Sequence, residues 1–385
     1  MFGIKNVYFY LMALQIILIK FLKKIYFSSD HYNKSLESKT PLQAYYNPNP
    51  FLLSIITGYK NEPFKISEVD PNLFWLEDKK KETEQLHSFF WLNLIDRKTD
   101  GKNIKKIIYI WILKNSKYKK KIWETTTLSS RIISWILNID IILDNATFDF
   151  KRNFLNSIIA QSNHLKKNIQ FEKNYLKKIE IFTALILSGL VFREYEDNYK
   201  AAIRGLENHV KKIFDNDGFP LSRNPNDLFF VAKYLILCGE IIKDAQKYIP
   251  EFLENIIEKN LACLNFIRCP NDRLPLFNGA SENLISQLDD HLNIHNIKKF
   301  DRNIISGLFK LKQKNHLLFF DIGPPPEKSF SKCYQSGPLS FEYFLDGTKI
   351  ISNSGFGDNI SNKAELLSRL TACQSTLTLN DTSVT

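Results

Sequence analysis

The spacing of apolar residues changes near Asn303, and this change constrains the fold more than any other feature of the 385-residue sequence. From Glu82 onward, apolar residues recur at intervals of three and four, as in IKKIIYIWILKN (104–115), which predicts helices. After Asn303 the period shifts towards two, in segments such as NHLLFFDIG (315–323), which predicts strands. Helices followed by strands favour two segregated parts over an alternating α/β fold.

Thirteen segments carry these patterns. Helical spacing is found in residues 86–98, 104–115, 127–143, 154–169, 175–192, 199–214, 227–242 and 252–267. Strand-like spacing is found in residues 307–313, 315–323, 338–347, 348–355 and 375–381. Turns are expected at Asp217-Gly218 and Asp346-Gly347. Four parts follow: an N-terminal helix (1–30), an irregular proline-containing connector (31–80), a helical domain (81–298) and a strand domain (299–385).

Composition permits a large core, since 44% of the residues are hydrophobic. The formal charge of +11 suggests a polyanionic partner. Lys, Asn and Ile are abundant along the whole sequence, however, and no nucleic-acid-binding motif is present. We therefore expect no nucleic-acid partner. The five cysteines form no C-x-x-C pair and are expected to be free thiols.

The N-terminal segment has an uncharged, largely apolar run from Val7 to Ile19. The run is too short to identify a membrane span, and FLKKIYFSSD (21–30) offers no small-residue cleavage site. Lysines follow directly, at positions 20, 23 and 24. These features predict an amphipathic helix that contacts a membrane surface, with an uncleaved membrane anchor as the alternative.

Several segments, taken in order, resemble the heparinase II/III-like polysaccharide lyases over roughly residues 40 to 385. They are LHSFFWLNLI (86–95), SSRIISWILN (129–138), FEKNYLKKIEIFTALILSGLVF (171–192), DNDGFPLSRNP (215–225), DRLPLFNGASE (272–282), GPLSFEYFLDGTKIISNSG (337–355) and LSRLTACQSTLTLNDTS (367–383). No single segment is specific, whereas the ordered set is. The resemblance implies an incomplete α/α toroid followed by an antiparallel β-sandwich, which agrees with the periodicity.

The same resemblance implies β-elimination on an acidic, uronate-containing polysaccharide such as a glycosaminoglycan. In that reaction a base removes the C5 proton of the uronate, and an acid protonates the departing oxygen at C4. The neighbouring carboxylate must be neutralised so that the enolate-like intermediate is stabilised. The base and the acid must lie within hydrogen-bond reach and have suitable pKa values. The resemblance also implies a bacterial protein of the cell envelope or periplasm.

Four candidate catalytic residues come from this resemblance. Asn174 and Tyr175 match the family's Asn-His pair, with Asn174 facing the uronate carboxylate and a tyrosine in place of the histidine. Arg223 and Asn224 match an arginine-containing segment, and a guanidinium suits a carboxylate. Many family members carry a tyrosine slightly later, near the position where Asp227 stands here. Each of these residues also has an ordinary structural interpretation, as a helix start or an ion pair.

A fifth candidate, Gln335, raises the question of a metal. Positions matching Gln335, Asn353 and Gln374 are often His, Asp and His in the family, and in several relatives they hold zinc. Neutral amides are poor zinc ligands. We therefore expect no metal and no cofactor, and instead a cluster of hydrogen-bonded amides. This substitution also weakens the case for Gln335 in catalysis.

Two interpretations of function stay open beside the lyase. In the first, the chain is a non-catalytic glycan-binding member of the family, with Tyr and Gln in place of the histidines. In the second, it is a fragment unable to fold alone. Five predicted strands are few for two packed sheets, so the sandwich is expected to be partial and the chain truncated at its C-terminus.

Overall fold

The computed structural model describes residues 2–58, 70–75, 83–98, 101–294, 300–358, 360–378, 380 and 382, without the side chains of residues 2–9, 20, 83 and 294. The chain forms two compact units. The first contains residues 1–53, 60–173 and 180–202. The second contains residues 54–59, 174–179 and 203–385. The four domain bounds predicted from the sequence stay a prediction.

Most of the described residues before position 300 are helical. The helices are α1 (Phe2–Ser28), α2 (Asp30–Leu36), α3 (Ser54–Thr57), α4 (Thr83–Ser88), α5 (Gly101–Asn115), α6 (Thr125–Leu137), α7 (Ile139–Leu143), α8 (Phe148–Asn168), α9 (Tyr175–Val191), α10 (Glu196–Ile213), α11 (Pro225–Asp244), α12 (Glu251–Ile267) and α13 (Asp289–Ile294). Every segment with predicted helical spacing overlaps one of them. The predicted helical part of the fold is confirmed.

Two predicted helices are interrupted, each for a local reason. In the segment 86–98, α4 ends at Ser88, because Phe89 has a left-handed backbone (φ 60°). A 3₁₀ helix follows over Phe90–Leu94. The segment 127–143 is divided at Asn138, whose Nδ2 donates a 2.9 Å hydrogen bond to the Ser134 carbonyl. An asparagine side chain that bonds to the preceding turn competes with the regular helix.

The core of the first unit is aromatic and contains the buried cation of Arg131. Trp111 and Trp135 are fully buried and meet edge to face, with ring centroids 5.2 Å apart. Arg131 stacks on Trp111 at 4.3 Å, and its Nε donates to Gln161 at 2.7 Å. His87 accepts a 2.8 Å hydrogen bond from the Trp111 indole. Arg131 and His87 thus have hydrogen-bond partners inside the unit, and with the Trp135 ring they hold helices together.

The second unit contains one antiparallel sheet in the order β1-β2-β3-β4-β5. The strands are β1 (Ile304–Ile305), β2 (Leu308–Gln313), β3 (His316–Asp321), β4 (Phe341–Leu345) and β5 (Thr348–Ile351). Asp346 and Gly347 join β4 to β5 with positive φ values of 49° and 79°, which forms the predicted tight turn. Four of the five predicted strands are therefore present, and β1 is an addition.

The fifth predicted strand, residues 375–381, is absent from the described residues of that segment, and the prediction there was wrong. The Ser375 hydroxyl donates to the Phe341 carbonyl, and the Thr376 hydroxyl donates to the Pro338 carbonyl. Side chains that bond to the backbone replace the regular ladder of a strand. A short helix, α14 (Asn362–Ser368), precedes this segment. Leu379 and Asp381 lie outside the described residues.

The predicted N-terminal helix is present as α1, which lies in the first unit. Among the described residues, no helix has the length and apolar character that a membrane span requires. All five cysteines lie in the described part of the chain and are free thiols, as predicted.

Candidate functional site

The candidate site in the second unit begins where α9 begins. Asn174 Oδ1 accepts a 2.9 Å hydrogen bond from the Leu176 amide, which places Asn174 as the cap of the helix. Such a cap satisfies an amide that has no partner within the helix. Tyr175 is then the first helical residue, and its side chain is half-buried. The Asn-Tyr pair predicted from the sequence therefore opens a helix.

Tyr175 meets a carboxylate from α11. Its hydroxyl donates a short hydrogen bond to Asp227 Oδ2, and Ser222 Oγ donates to the same oxygen at 2.6 Å. Asp227 lies in the first turn of α11, where a negative charge is favoured by the helix dipole. A phenol, a carboxylate and an alcohol thus form one connected cluster that can exchange a proton.

Burial shifts both titratable members of the cluster in the same direction. Desolvation raises the pKa of the Tyr175 phenol, and the neighbouring Asp227 carboxylate raises this pKa further. Desolvation also raises the pKa of Asp227, although the hydrogen bonds from Ser222 and Tyr175 oppose that shift. The phenol therefore keeps its proton at neutral pH, and the carboxyl is a stronger proton acceptor than an ordinary aspartate.

Two further contacts fix the position of Tyr175. His209 Nε2, on α10, lies 2.9 Å from the Tyr175 carbonyl oxygen and donates to it. The Tyr175 ring meets Phe330 edge to face, with centroids 5.3 Å apart. Burial lowers the pKa of His209, so its imidazole is neutral near pH 7. These contacts hold the phenol without using its oxygen.

Asn224 has a structural place beside this cluster. Its Oδ1 accepts a 2.8 Å hydrogen bond from the Asn226 amide and caps α11, with Pro225 in the first turn. Asparagine at the cap and proline at the first position are a common helix start. Asn224 is buried, and its side chain thus positions the helix that carries Asp227.

Arg223 is also buried, and its guanidinium is used within the second unit. It forms an ion pair with Asp321, its Nε donates to Ser306 O at 2.8 Å, and its Nη1 donates to Pro324 O at 2.6 Å. Gly323 lies against it: a Cβ on that glycine would come within 2.4 Å of the guanidinium carbon. The predicted recognition of a substrate carboxylate needs an available guanidinium, and this one binds protein groups instead.

Gln335 is 2% exposed and binds backbone on every side. Its Oε1 accepts from Gly279 N at 3.1 Å, and its Nε2 donates to Gly355 O and Ser368 O, both at 2.8 Å. An amide used in this way joins three loops. We therefore do not retain Gln335 as a catalytic residue.

The other two amides predicted to accompany Gln335 lie close to it. Gln374 Nε2 donates to the same Ser368 carbonyl at 2.8 Å. Asn353 Oδ1 accepts from Ser375 N at 3.0 Å, one residue further along the chain. Gln335 and Gln374 thus meet at the Ser368 carbonyl, whereas Asn353 binds the residue that follows Gln374, so the three amides are linked through backbone rather than through each other.

This donor set does not fit zinc, because its members are neutral amides whose oxygens already accept backbone hydrogen bonds in two cases. The Asn353 amide nitrogen is buried without a hydrogen-bond partner among the described residues, and a nitrogen that carries two hydrogens cannot ligate a cation. In the described part of the chain, no three His, Cys, Asp or Glu side chains are grouped as metal ligands.

Sequence reasoning placed Asn174 and Tyr175 correctly at a helix start, but it did not identify three of their partners. Asp227 was noted only as a departure from the family pattern, and Ser222 and His209 were not selected. Asp227 stands near the position where many family members carry a tyrosine, and that difference was the available signal.

Family models match most of the chain. The model described as heparinase II/III N-terminus matches residues 74–300, and the model described as heparinase II/III-like, C-terminal, matches residues 305–385. No curated protein matches the sequence.

Solved structures share the fold at low sequence identity. A crystal structure of heparinase III is 13% identical in sequence and has a TM-score of 0.64. The match covers 80% of this chain and 55% of the heparinase III chain. The heparan sulfate lyase HepC of Pedobacter heparinus, as a mutant, is 19% identical, with the same coverages and a TM-score of 0.61. The chain thus spans just over half the length of these structures. The predicted fold class, an α/α toroid followed by a β-sandwich, is confirmed, and the chain belongs to the heparinase II/III-like family.

Proposed function

We propose that the protein is a polysaccharide lyase that cleaves an acidic, uronate-containing polysaccharide by β-elimination. The observation that carries this proposal is the hydrogen bond from Tyr175 to Asp227, because it joins two proton-transfer groups at the segment matching the family's Asn-His pair. Membership of the heparinase II/III-like family supports the same reaction class.

In this mechanism the phenol oxygen of Tyr175 takes the proton from C5 of the uronate while its own proton passes to ionised Asp227. The bond between C4 and its oxygen then breaks, and a double bond forms between C4 and C5. The proton returns from Asp227 through Tyr175 to the departing oxygen. Asp227 overcomes the weak basicity of a neutral phenol, since it accepts the phenolic proton in the same step.

The net charge of the chain and the similar solved structures favour an acidic polysaccharide as substrate. Asn174 is the candidate for contact with the uronate carboxylate. The similar structures include a heparinase III and a heparan sulfate lyase, which supports a glycosaminoglycan. The net charge of +11 favours any such polyanion. We propose that the protein acts in the bacterial cell envelope or periplasm.

The direct test is an assay of the purified full chain on a panel of uronate polysaccharides: heparan sulfate, chondroitin sulfate, hyaluronan, alginate and polygalacturonate. A lyase produces an unsaturated sugar, whose conjugated double bond absorbs ultraviolet light. We expect the absorbance to rise with at least one substrate and to stay flat with the Tyr175→Phe variant. A flat signal on the whole panel would contradict the proposal.

One observation favours the alternative, a non-catalytic glycan-binding protein. Arg223, the cation predicted to neutralise the uronate carboxylate, is buried against Asp321. A binding protein would retain glycan affinity without producing an unsaturated product. Calorimetry with the same panel separates the two functions, because binding without absorbance supports the alternative.

A further inference from the structure

Helix α1 leaves a large apolar surface uncovered. From residue 10 to residue 26, every residue with a described side chain is exposed. The large apolar side chains that are more than half exposed and fall on one face at helical spacing are Leu11, Leu14, Leu18, Phe21, Leu22 and Ile25. Soluble proteins rarely expose a contiguous apolar surface of this size unless it binds a partner.

Among its described residues, α1 contacts the rest of the first unit in its C-terminal part, where Lys23 Nζ lies 5.0 Å from the centre of the Phe171 ring. The Phe27 ring packs against Tyr32 at 4.8 Å, Tyr118 at 5.0 Å and His164 at 5.6 Å between centroids. A 2.7 Å hydrogen bond between the Tyr32 hydroxyl and His164 Nδ1 closes this aromatic cluster. This cluster therefore attaches the C-terminal end of α1 to the first unit.

Charge indicates what covers the apolar face. Helix α1 contains four lysines and no aspartate or glutamate. By helical spacing, positions 20, 23 and 24 lie on the side opposite the leucines. Lysine stems reach along an apolar surface while the ammonium groups contact anionic head groups. A second copy of the helix would bring like charges together without any acidic residue to pair with them.

We propose that α1 binds the surface of an anionic phospholipid bilayer, with its leucine face among the acyl chains and its lysines at the head groups. The first unit is then held beside the membrane through Phe27. This inference is independent of the lyase proposal, because nothing in it depends on Tyr175 or on catalysis.

The test is sedimentation of the full chain with vesicles of phosphatidylcholine, with and without phosphatidylglycerol. We expect binding to the mixed vesicles that weakens, but persists, at high salt, and weaker binding to pure phosphatidylcholine. The Leu14→Glu/Leu18→Glu variant should bind at least about tenfold more weakly. Lys23→Gln/Lys24→Gln should lose mainly the preference for phosphatidylglycerol.

A matched control is Leu113→Glu/Leu366→Glu, which replaces two leucines of α5 and α14 that are 63% and 67% exposed, against 64% and 53% for Leu14 and Leu18. It should bind like the parent protein. Circular dichroism checks that every variant is folded. Equal loss in the control, no vesicle binding by the parent, or dimers that dissociate in Leu14→Glu/Leu18→Glu would each overturn the proposal. Resistance of the bound protein to an alkaline carbonate wash would identify a spanning anchor and would also overturn it.

Discussion

Tyr175, Arg223 and Gln335 lie in the same unit, and the sequence predicts a catalytic role for each, yet their polar atoms have different partners. Tyr175 and Asp227 bind each other through side chains that both titrate. Arg223 and Gln335 bind mainly backbone carbonyl and amide groups of their own unit.

This difference in hydrogen-bond partners separates residues that can transfer a proton from residues that hold loops in place. A half-buried pair of titratable groups can pass a proton between its members when a substrate arrives. A side chain whose donors and acceptor are already used by the backbone would need to break those bonds first, and that loss costs stability. The predictions below test whether activity follows the first region and stability follows the second.

The largest expected effect is on stability, from Arg223→Met. This variant leaves the Asp321 carboxylate buried without its cation, and breaking a buried pair costs about 3–5 kcal/mol of unfolding free energy. Chemical denaturation measures the loss. Replacing both partners, as Arg223→Met/Asp321→Leu, should recover part of it. A single variant as stable as the parent would show that the pair does not hold the loops.

Tyr175→Phe tests the other region. It removes the phenolic hydroxyl but keeps the ring against Phe330. Folding should therefore be unchanged, while turnover falls by about 10²-fold or more. Steady-state kinetics by ultraviolet absorbance, on whichever substrate is active, measures this. Tyr343→Phe is the matched control, because Tyr343 contacts His316 on the sheet by a similar side-chain bond. Equal losses in the two variants would contradict a catalytic role for Tyr175.

Gln335→Leu should behave oppositely. It removes the side-chain hydrogen bonds to Gly279 N, Gly355 O and Ser368 O, of which Ser368 O keeps its bond from Gln374, at a cost of roughly 1–3 kcal/mol. Turnover per folded molecule should be unchanged. Thermal unfolding and kinetics on the same sample measure both quantities. A large fall in turnover with little loss of stability would return Gln335 to the catalytic site.

The same cluster allows a gain-of-metal experiment. Gln335→His/Asn353→Asp/Gln374→His supplies two imidazoles and a carboxylate where three amides now converge. We expect this variant to bind zinc near one equivalent by elemental analysis, provided that its neighbours orient the rings. The parent protein is the control. Zinc in both proteins would contradict the interpretation of the amides.

The sequence predicted the helices and most strands because their apolar spacing is long and regular. It did not predict the irregular course of Ser375, because the hydroxyl hydrogen bonds that replace the ladder depend on residues 34 positions away. The site shows the same limit. Asn174 and Tyr175 are adjacent in sequence and were found together, whereas Asp227 lies 52 residues from Tyr175 and only the fold joins them.

The smallest expected effect is the pH dependence of the Asp227 carboxyl. Its pKa is raised in the folded protein, so the unfolded chain ionises first as the pH rises. Between the two pKa values the folded state binds more protons, and the stability of the parent protein falls with rising pH. Asp227→Asn lacks this proton, so the difference in unfolding free energy between variant and parent should shift in the variant's favour as the pH rises through this window.

Activity should increase with rising pH while stability decreases, because the proposed mechanism needs ionised Asp227. Turnover should rise as the pH passes through the raised pKa, where the parent protein loses stability. Denaturation of both proteins at several pH values, with the pH profile of turnover for the parent, measures the two trends. Other buried acids such as Asp321 titrate in both proteins and cancel in the comparison. If turnover instead stays constant through the window in which the stability difference changes, then Asp227 does not accept the phenol proton, and the Tyr175–Asp227 pair is structural like Arg223 and Gln335.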